Sequence, residues 1–308
     1  MPMKIAVTGA SGLIGSRLVE VLQDEGHRIV GLTRSLRRTR RYFPQARFPA
    51  LELVQYDPCQ LGDWARALEG CDGVVHLAGS PIHGRWTTEF KTEIRRSREL
   101  GTRTLVHAIA QAGQRPGVLV SSSSVRYYGF SETETFDENS PPHQGEDFLA
   151  GVTRIWEAEA RAAEDLGLRV VILRHGIVLD MTSRFEGVLD RLGRFVGGRV
   201  GSGRQWFSWI HREDTVRIIL RALTDETMQG AYNATGPDPV RMDEFMRALG
   251  EHLGGRFKLP VPGVVLRGAL GDGATVVLDG QRVLPTRLQE EGFAFRHPEL
   301  RQAIASSV

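Results

Sequence analysis

Short apolar runs alternate with amphipathic stretches along the first 175 residues. Ile5-Ala6-Val7 precedes a segment whose apolar positions, Leu13, Ile14, Leu18, Val21 and Leu22, share one face of a 3.6-residue repeat. The same pattern predicts strands at Arg28 to Leu32, Leu51 to Tyr56 and Gly73 to Leu77, with helical segments between them. A helix over about Thr87 to Ala112, a strand at Gly117 to Ser121, a polar loop, a helix over about Asp147 to Asp165 and a strand at Leu168 to Leu173 continue the series. Strands alternating with helices imply right-handed parallel units, so six strands build a doubly wound α/β sheet. Beyond Arg174 the pattern is irregular, with many glycines from Gly187 to Gly203. Tyr232 and Asn233 after Gly230 read as another short strand, and Met242 to Leu253 as a helix. The expected division is a sheet domain over 1–175, with a return at about 210–235, and a smaller lobe with a tail over 176–308.

The first strand runs into Thr8-Gly9-Ala10-Ser11-Gly12-Leu13-Ile14-Gly15. Glycines at these positions remove every Cβ where a strand turns into a helix, so a pyrophosphate can approach the backbone and meet the free N–H groups of the helix start. The first domain therefore reads as dinucleotide-binding (Rossmann), and the turn contacts expected are Gly9, Ser11, Gly12, Leu13, Ile14 and Gly15. The second strand ends in Thr33-Arg34-Ser35, with no acid to receive a ribose 2′-hydroxyl and with an arginine able to meet a 2′-phosphate, which favours NADP over NAD. Asp57 is placed to reach the adenine amino group or, alternatively, to form a turn before Pro58. Leu77, Ala78 and Gly79 end the fourth strand with room for the middle of the cofactor, and Ser122 and Arg174 complete the expected contacts.

Composition changes this picture little. The 308 residues are 41% hydrophobic and 25% charged, with a net charge of +2, values that argue against a dedicated nucleic-acid binder. Arg34, Arg37, Arg38, Arg40 and Arg41 form one basic cluster, for which a solvated loop is the alternative but whose place right after the second strand favours the cofactor. No apolar run approaches the roughly 18 residues of a membrane span, and no leader precedes the first strand, so the expected location is the cytoplasm and no membrane partner is expected. Cys59 and Cys71 are expected to be reduced and structural, and no metal site is expected.

The glycine turn, Val75-His76-Leu77-Ala78-Gly79, the Ser121 to Gly129 segment and Leu173-Arg174 together resemble the extended short-chain dehydrogenase/reductases. Arg85-Trp86-Thr87, Ser97-Arg98, Tyr127-Tyr128-Gly129, Phe148-Leu149-Ala150, Gly201 to Gln205, Trp209-Ile210-His211 with Asp214, and Leu284-Pro285 to Phe295 are closer still to an atypical NAD(P)-binding epimerase-like branch, sometimes labelled cell-division-inhibitor-like. The resemblance spans essentially the whole chain. It implies the extended fold, NADP and a C-terminal tail of unknown role, and it names no substrate.

It also exposes a gap. The wider family moves a proton with a tyrosine whose pKa is lowered by a lysine four residues on, because a free tyrosine near pH 10 is a poor base at neutrality. Here no tyrosine lies between Tyr128 and Tyr232, and no lysine between Lys91 and Lys258. Of 39 basic residues only Lys4, Lys91 and Lys258 are lysines. The hydroxyl arm survives as Ser123 or Ser124, unless these serines serve only their own strand end. Dehydratases of the family follow that hydroxyl with an Asp-Glu pair, where this chain has Val125 and Arg126, which argues against dehydration. Replacement proton carriers are Tyr127, Tyr128 and His175, with aromatic packing as the alternative for the tyrosines, and His211 is a further histidine in an aromatic segment. The expected protein is an NADP-dependent oxidoreductase or epimerase-like enzyme acting on a small polar molecule. The alternative is an NADP(H)-binding redox sensor without turnover. Related folds pair helices across dimer interfaces, so a homodimer is a further expectation.

Overall fold

The computed structural model describes residues 1–180, 198–252 and 260–306. The Gly187 end of the glycine-rich stretch and the end of the expected helix at Leu253 lie outside them. The strands are β1 (Lys4–Thr8), β2 (Arg28–Thr33), β3 (Leu51–Gln55), β4 (Gly73–His76), β5 (Val118–Ser124), β6 (Thr135–Phe136), β7 (Arg169–His175), β8 (Ile177–Leu179), β9 (Trp206–Phe207), β10 (Trp209–His211), β11 (Gly230–Ala234), β12 (Val240–Arg241) and β13 (Arg282–Val283). The helices used below are α1 (Leu13–Asp24), α2 (Leu36–Tyr42), α3 (Thr88–Gln111), α4 (Phe148–Arg161), α5 (Arg212–Thr224), α6 (Met242–His252), α7 (Gly263–Leu270), α8 (Thr275–Leu278), α9 (Thr286–Glu290) and α10 (Leu300–Ser306).

The main sheet has seven parallel strands in the order β11-β7-β5-β4-β1-β2-β3, one more than the six expected. The seventh is the short strand around Tyr232, which pairs with β7 from Gly230↔Val171 to Ala234↔His175. Chain order reverses at β1, flanked by β2 and β4, and such a switch point opens a crevice beyond the strand ends. One sheet face buries Ile5, Val7 and Leu173 with Leu18 of α1 and Ile219 of α5; the other buries Ala6, Val74 and Leu119 with Leu105 and Ile109 of α3. A separate core under the smaller lobe joins Phe207, Trp209, Phe245 and Ile304.

Two differences from the expected elements shape the site. β5 runs to Ser124 and β7 to His175, paired in register through Ser122↔Leu173, Ser123↔Arg174 and Ser124↔His175. The serines therefore belong to a strand rather than to a polar loop, because the neighbouring strand satisfies their backbone, and the hydroxyls of Ser122 and Ser123 meet His175 and Glu157. The segment 125–128 closes this strand end as a single 3₁₀ turn, with Ser124 Oγ accepting from Arg126 N.

Candidate active site

At the glycine turn, Gly9 has φ +69°, and a Cβ there would meet Leu77 C and Ala78 N at 3.0 Å. A Cβ on Gly15 would stand 2.3 Å from Gly9 O, so that glycine lets α1 pack onto its own turn. Gly12 is the N-cap and offers no side-chain cap, which leaves the first N–H groups of α1, at Leu13 and Ile14, for an anion. Ser11 sits half-buried on the turn. Thr8 Oγ1 fastens this turn to β4: it accepts from Leu77 N at 3.1 Å and Ala78 N at 3.2 Å, and lies 2.8 Å from His76 Nδ1. With its acceptor side taken, Thr8 donates to Nδ1, so Nε2–H of His76 donates to Thr102 Oγ1 at 3.0 Å.

The far end of the turn is basic. Thr33 is buried, with its hydroxyl 2.7 Å from Thr39 Oγ1, and receives Ser35 N at 3.2 Å. Ser35 caps α2 by accepting from Arg38 N, and Arg34, Arg37 and Arg38 stand exposed around that cap with no acid in the first turn. Asp57 is exposed and makes a turn, its Oδ1 accepting from Cys59 N at 2.8 Å.

At the other end lies a cavity of about 270 Å³ beyond β4, β5 and β7. Leu77, Ser122, Ser123, Ser124 and His175 form its strand side, and Leu149, Val152, Thr153 and Trp156 of α4 form a second wall. Trp206, Phe207 and Ser208 contribute a third wall, and Asp279, Gly280 and Gln281 a fourth. Among the described residues no tyrosine or lysine lines it. Buried Arg126 Nε and Nη1, Trp156 Nε1 and His175 Nδ1 have no hydrogen-bond partner among the described residues, and all three side chains line this cavity. Unpartnered buried polar groups are costly, and their side chains standing around one space make it the candidate site.

Behind the serines is a closed ionic cluster. Ser123 Oγ donates to Glu157 Oε1 at 2.6 Å, Arg174 donates to both Glu157 oxygens, and Arg174 Nη1 donates to Tyr128 OH at 2.8 Å. Tyr128 OH in turn donates to Asn233 Oδ1 at 2.8 Å, and burial pushes its phenol up to about 12. Tyr127 stacks on the Arg174 guanidinium, 3.5 Å from carbon to ring centre. Ser122 Oγ is 3.2 Å from His175 Nε2, and burial pushes His175 down to about 4, so that imidazole is neutral at pH 7. The structure thus gathers Ser122, Ser123, Ser124 and His175 around the cavity, and directs Tyr127, Tyr128 and Arg174 into the cluster behind it.

The model of the NAD dependent epimerase/dehydratase family matches residues 5–234. The chain belongs to this family. Residues 261–307 match a second model, described only as a domain of unknown function. The chloroplastic SDR39U1 homologue of the epimerase family from Arabidopsis thaliana is 43% identical over 305 residues, 98% of this chain and 86% of that protein. The epimerase family protein YfhF of Bacillus subtilis is 33% identical, covering 99% of this chain and 98% of its own. Among solved structures, the human epimerase family protein SDR39U1 (isoform 2) with NADPH superposes with a TM-score of 0.85 at 32% identity, over 99% of this chain and 98% of that one.

The cavity lining includes two positions that sequence reasoning did not assign as site residues. Arg98 of α3 lies against Gly79, where a Cβ would meet its Cζ at 3.2 Å, and donates Nη1 to Ser80 O and Ile94 O. It lines the cavity as a half-buried cation with no ion pair among the described residues, and desolvation pushes it down to about 10. The second is Asp279, supplied by the segment of unknown function. The quoted Ser97-Arg98 pair carried the signal for the first; nothing in the local pattern marked the second.

Proposed function

We propose that this chain binds NADP(H) and transfers hydride between it and a carbonyl or hydroxyl of a small polar molecule. The observation that carries the reading is the arrangement at the strand ends: a glycine turn with free helix N–H groups, a basic cap at Arg34, Ser35 and Arg38, and a separate cavity lined by unpartnered polar groups. These residues fit a phosphorylated dinucleotide. Arg34, Ser35 and Arg38 N would hold a 2′-phosphate, Gly9 to Gly15 the diphosphate, and Arg98 beside Gly79 would add positive charge toward it. The NADPH held by the human SDR39U1 structure supports the same choice. Bound in this way, the nicotinamide supplies or accepts the hydride.

The chain's residues would supply position. Ser124 Oγ accepts from Arg126 N and so keeps its own hydrogen for a substrate oxygen, whereas Ser123 has its hydrogen on Glu157. Ser122 and His175 would face the cofactor ring, and the apolar wall of Leu149, Val152 and Trp156 would exclude water. We place this activity in the cytoplasm; among the described residues no helix is long and apolar enough to cross a membrane.

Stopped-flow mixing of the protein and NADPH with 2,3-butanedione, methylglyoxal, glyceraldehyde and benzaldehyde tests the reading, with loss of NADPH absorbance expected for at least one. One observation favours a second reading, a redox sensor: the α4 face toward the cavity carries Leu149 and Thr153 and no tyrosine or lysine. Tight NADPH binding with no oxidation by any of the four carbonyls would select the sensor.

A further inference from the structure

Reduction of a carbonyl requires a proton as well as a hydride, and the groups considered so far do not deliver one. Tyr128 is fixed between Arg174 and Asn233, Tyr127 is stacked on Arg174 outside the cavity lining, and His175 is neutral against Ser122. Among the described residues Asp279 is the one carboxyl lining the cavity. Its side chain receives no hydrogen bond and makes no ion pair among the described residues, although it is half-buried. A half-buried acid left without donors is free to bond a ligand.

Its position is firmly set. Asp279 caps the end of α8, its N donating to Thr275 O, and a Cβ on the next residue, Gly280, would stand 1.9 Å from Trp206 O, so the backbone is pressed against β9. Ser208 then clamps the following residues, donating to Gln281 O at 2.8 Å and accepting from Val283 N at 3.0 Å. Across the cavity Arg126 pairs with Asp147 at 2.9 Å and keeps Nε and Nη1 free. The charged groups around Asp279 are therefore Arg126 after β5, Asp147 at the start of α4 and Arg267 of α7. Burial, aided by Asp147, pushes its carboxyl above the ordinary range against the pull of Arg126 and Arg267.

We propose that Asp279 is the proton-transfer carboxyl of this site. This assignment rests on the hydride-transfer reading. In the reducing direction a hydride forms the new C–H bond at the carbonyl carbon, the carbonyl π pair moves onto oxygen, and the Asp279 proton closes the hydroxyl. The acid is left as a carboxylate beside the Arg126 cation and recovers its proton from water. Oxidation runs the same transfers backward. The segment of unknown function thereby completes the site with its acid.

The test combines turnover with a cofactor-free measurement. With the carbonyl reduced fastest in the panel above, Asp279→Asn is expected to lower kcat about 100-fold or more, with KM changed only a few-fold and NADPH affinity unchanged. The wild-type rate should fall at high pH as the acid ionises, and that limb should vanish in Asp279→Asn. Asp279→Glu should recover part of kcat. In the cofactor-free protein labelled with ¹³C at aspartate carboxyls, the resonance lost in Asp279→Asn should titrate above the ordinary aspartate range and move higher still in Arg126→Gln. A wild-type kcat and pH limb in Asp279→Asn, or an Asp279 resonance titrating at or below the ordinary range, overturns the assignment and leaves the hydride-transfer reading standing. NADPH binding without oxidation by any carbonyl in the wild type removes both.

Discussion

Arg174 and Glu157 are locked by two hydrogen bonds, Nε to Oε1 at 2.8 Å and Nη2 to Oε2 at 2.9 Å, with side chains only 3% and 4% exposed. The pair joins β7 to α4 directly behind the serines of β5. Glu157→Gln removes the charge that balances Arg174 and weakens the acceptor of Ser123, and breaking one side of a buried pair typically costs about 3–5 kcal/mol. Urea unfolding should show a midpoint lowered accordingly with an unchanged slope. A midpoint within experimental error of wild type would remove the cluster's structural role.

Arg34 ends β2 beside the Ser35 cap. Under the NADP reading, Arg34→Glu places a carboxylate where a 2′-phosphate would sit and an acceptor where a 2′-hydroxyl would sit. Loss of a charge-assisted contact of about 1.5–3 kcal/mol predicts NADPH binding weakened tenfold or more, with NADH binding equal or tighter. Titration of cofactor fluorescence measures both, and an equal loss for the two cofactors would contradict the assignment.

Burial pushes His76 and His175 down to about 4, with Arg98 adding to the effect on His76. Unfolded, both titrate near 6.5, so between about pH 6.5 and 4 the unfolded chain binds more protons than the folded one. The contribution is intact above pH 6.5, is lost as pH falls through this window, and levels off below it, at most about 3 kcal/mol per histidine. Thermal unfolding followed from pH 7.5 to 4.5 should show this decline, and His175→Asn should make it shallower. An equally steep decline in that variant would rule His175 out as a source.

Fully buried Asp214 of α5 holds the tail: its carboxylate accepts from Arg296 N at 2.7 Å, His297 N at 2.9 Å and Arg217 Nη1 at 3.2 Å. Asp214→Ala leaves these donors without their acceptor. Hydrogen exchange should quicken by an order of magnitude or more across 293–306, where α10 packs on α6, while amides of the central sheet keep their protection. Unchanged exchange in the tail would show that its docking is held by apolar contacts alone.

The apolar run Ile5-Ala6-Val7, the glycine spacing and the helical face of α1 made the parallel sheet and its phosphate turn legible, because both depend on local periodicity and on missing Cβ atoms. The seventh strand was legible as a strand, although its partner was not: pairing with β7 joins residues 59 positions apart in the chain. Ser123 and Tyr128 looked like site residues because they stand in the expected segment, yet their hydroxyls are directed by Glu157, Arg174 and Asn233, which lie on other elements.

The sequence by itself determined the α/β class, the cradle from Gly9 to Gly15, the basic end at Arg34 and the absence of the tyrosine and lysine pair, since each is a matter of residue type at a fixed local spacing. Only the tertiary structure decided which hydroxyls remain available and what faces them. Ser124, Arg126 and Asp279 meet at one cavity because the C-terminal segment, pressed against Trp206 and clamped by Ser208, returns to the open end of the sheet. That residues more than 150 positions apart share one cavity leaves no mark on either one's neighbours in the chain; the cavity exists once burial has folded the chain.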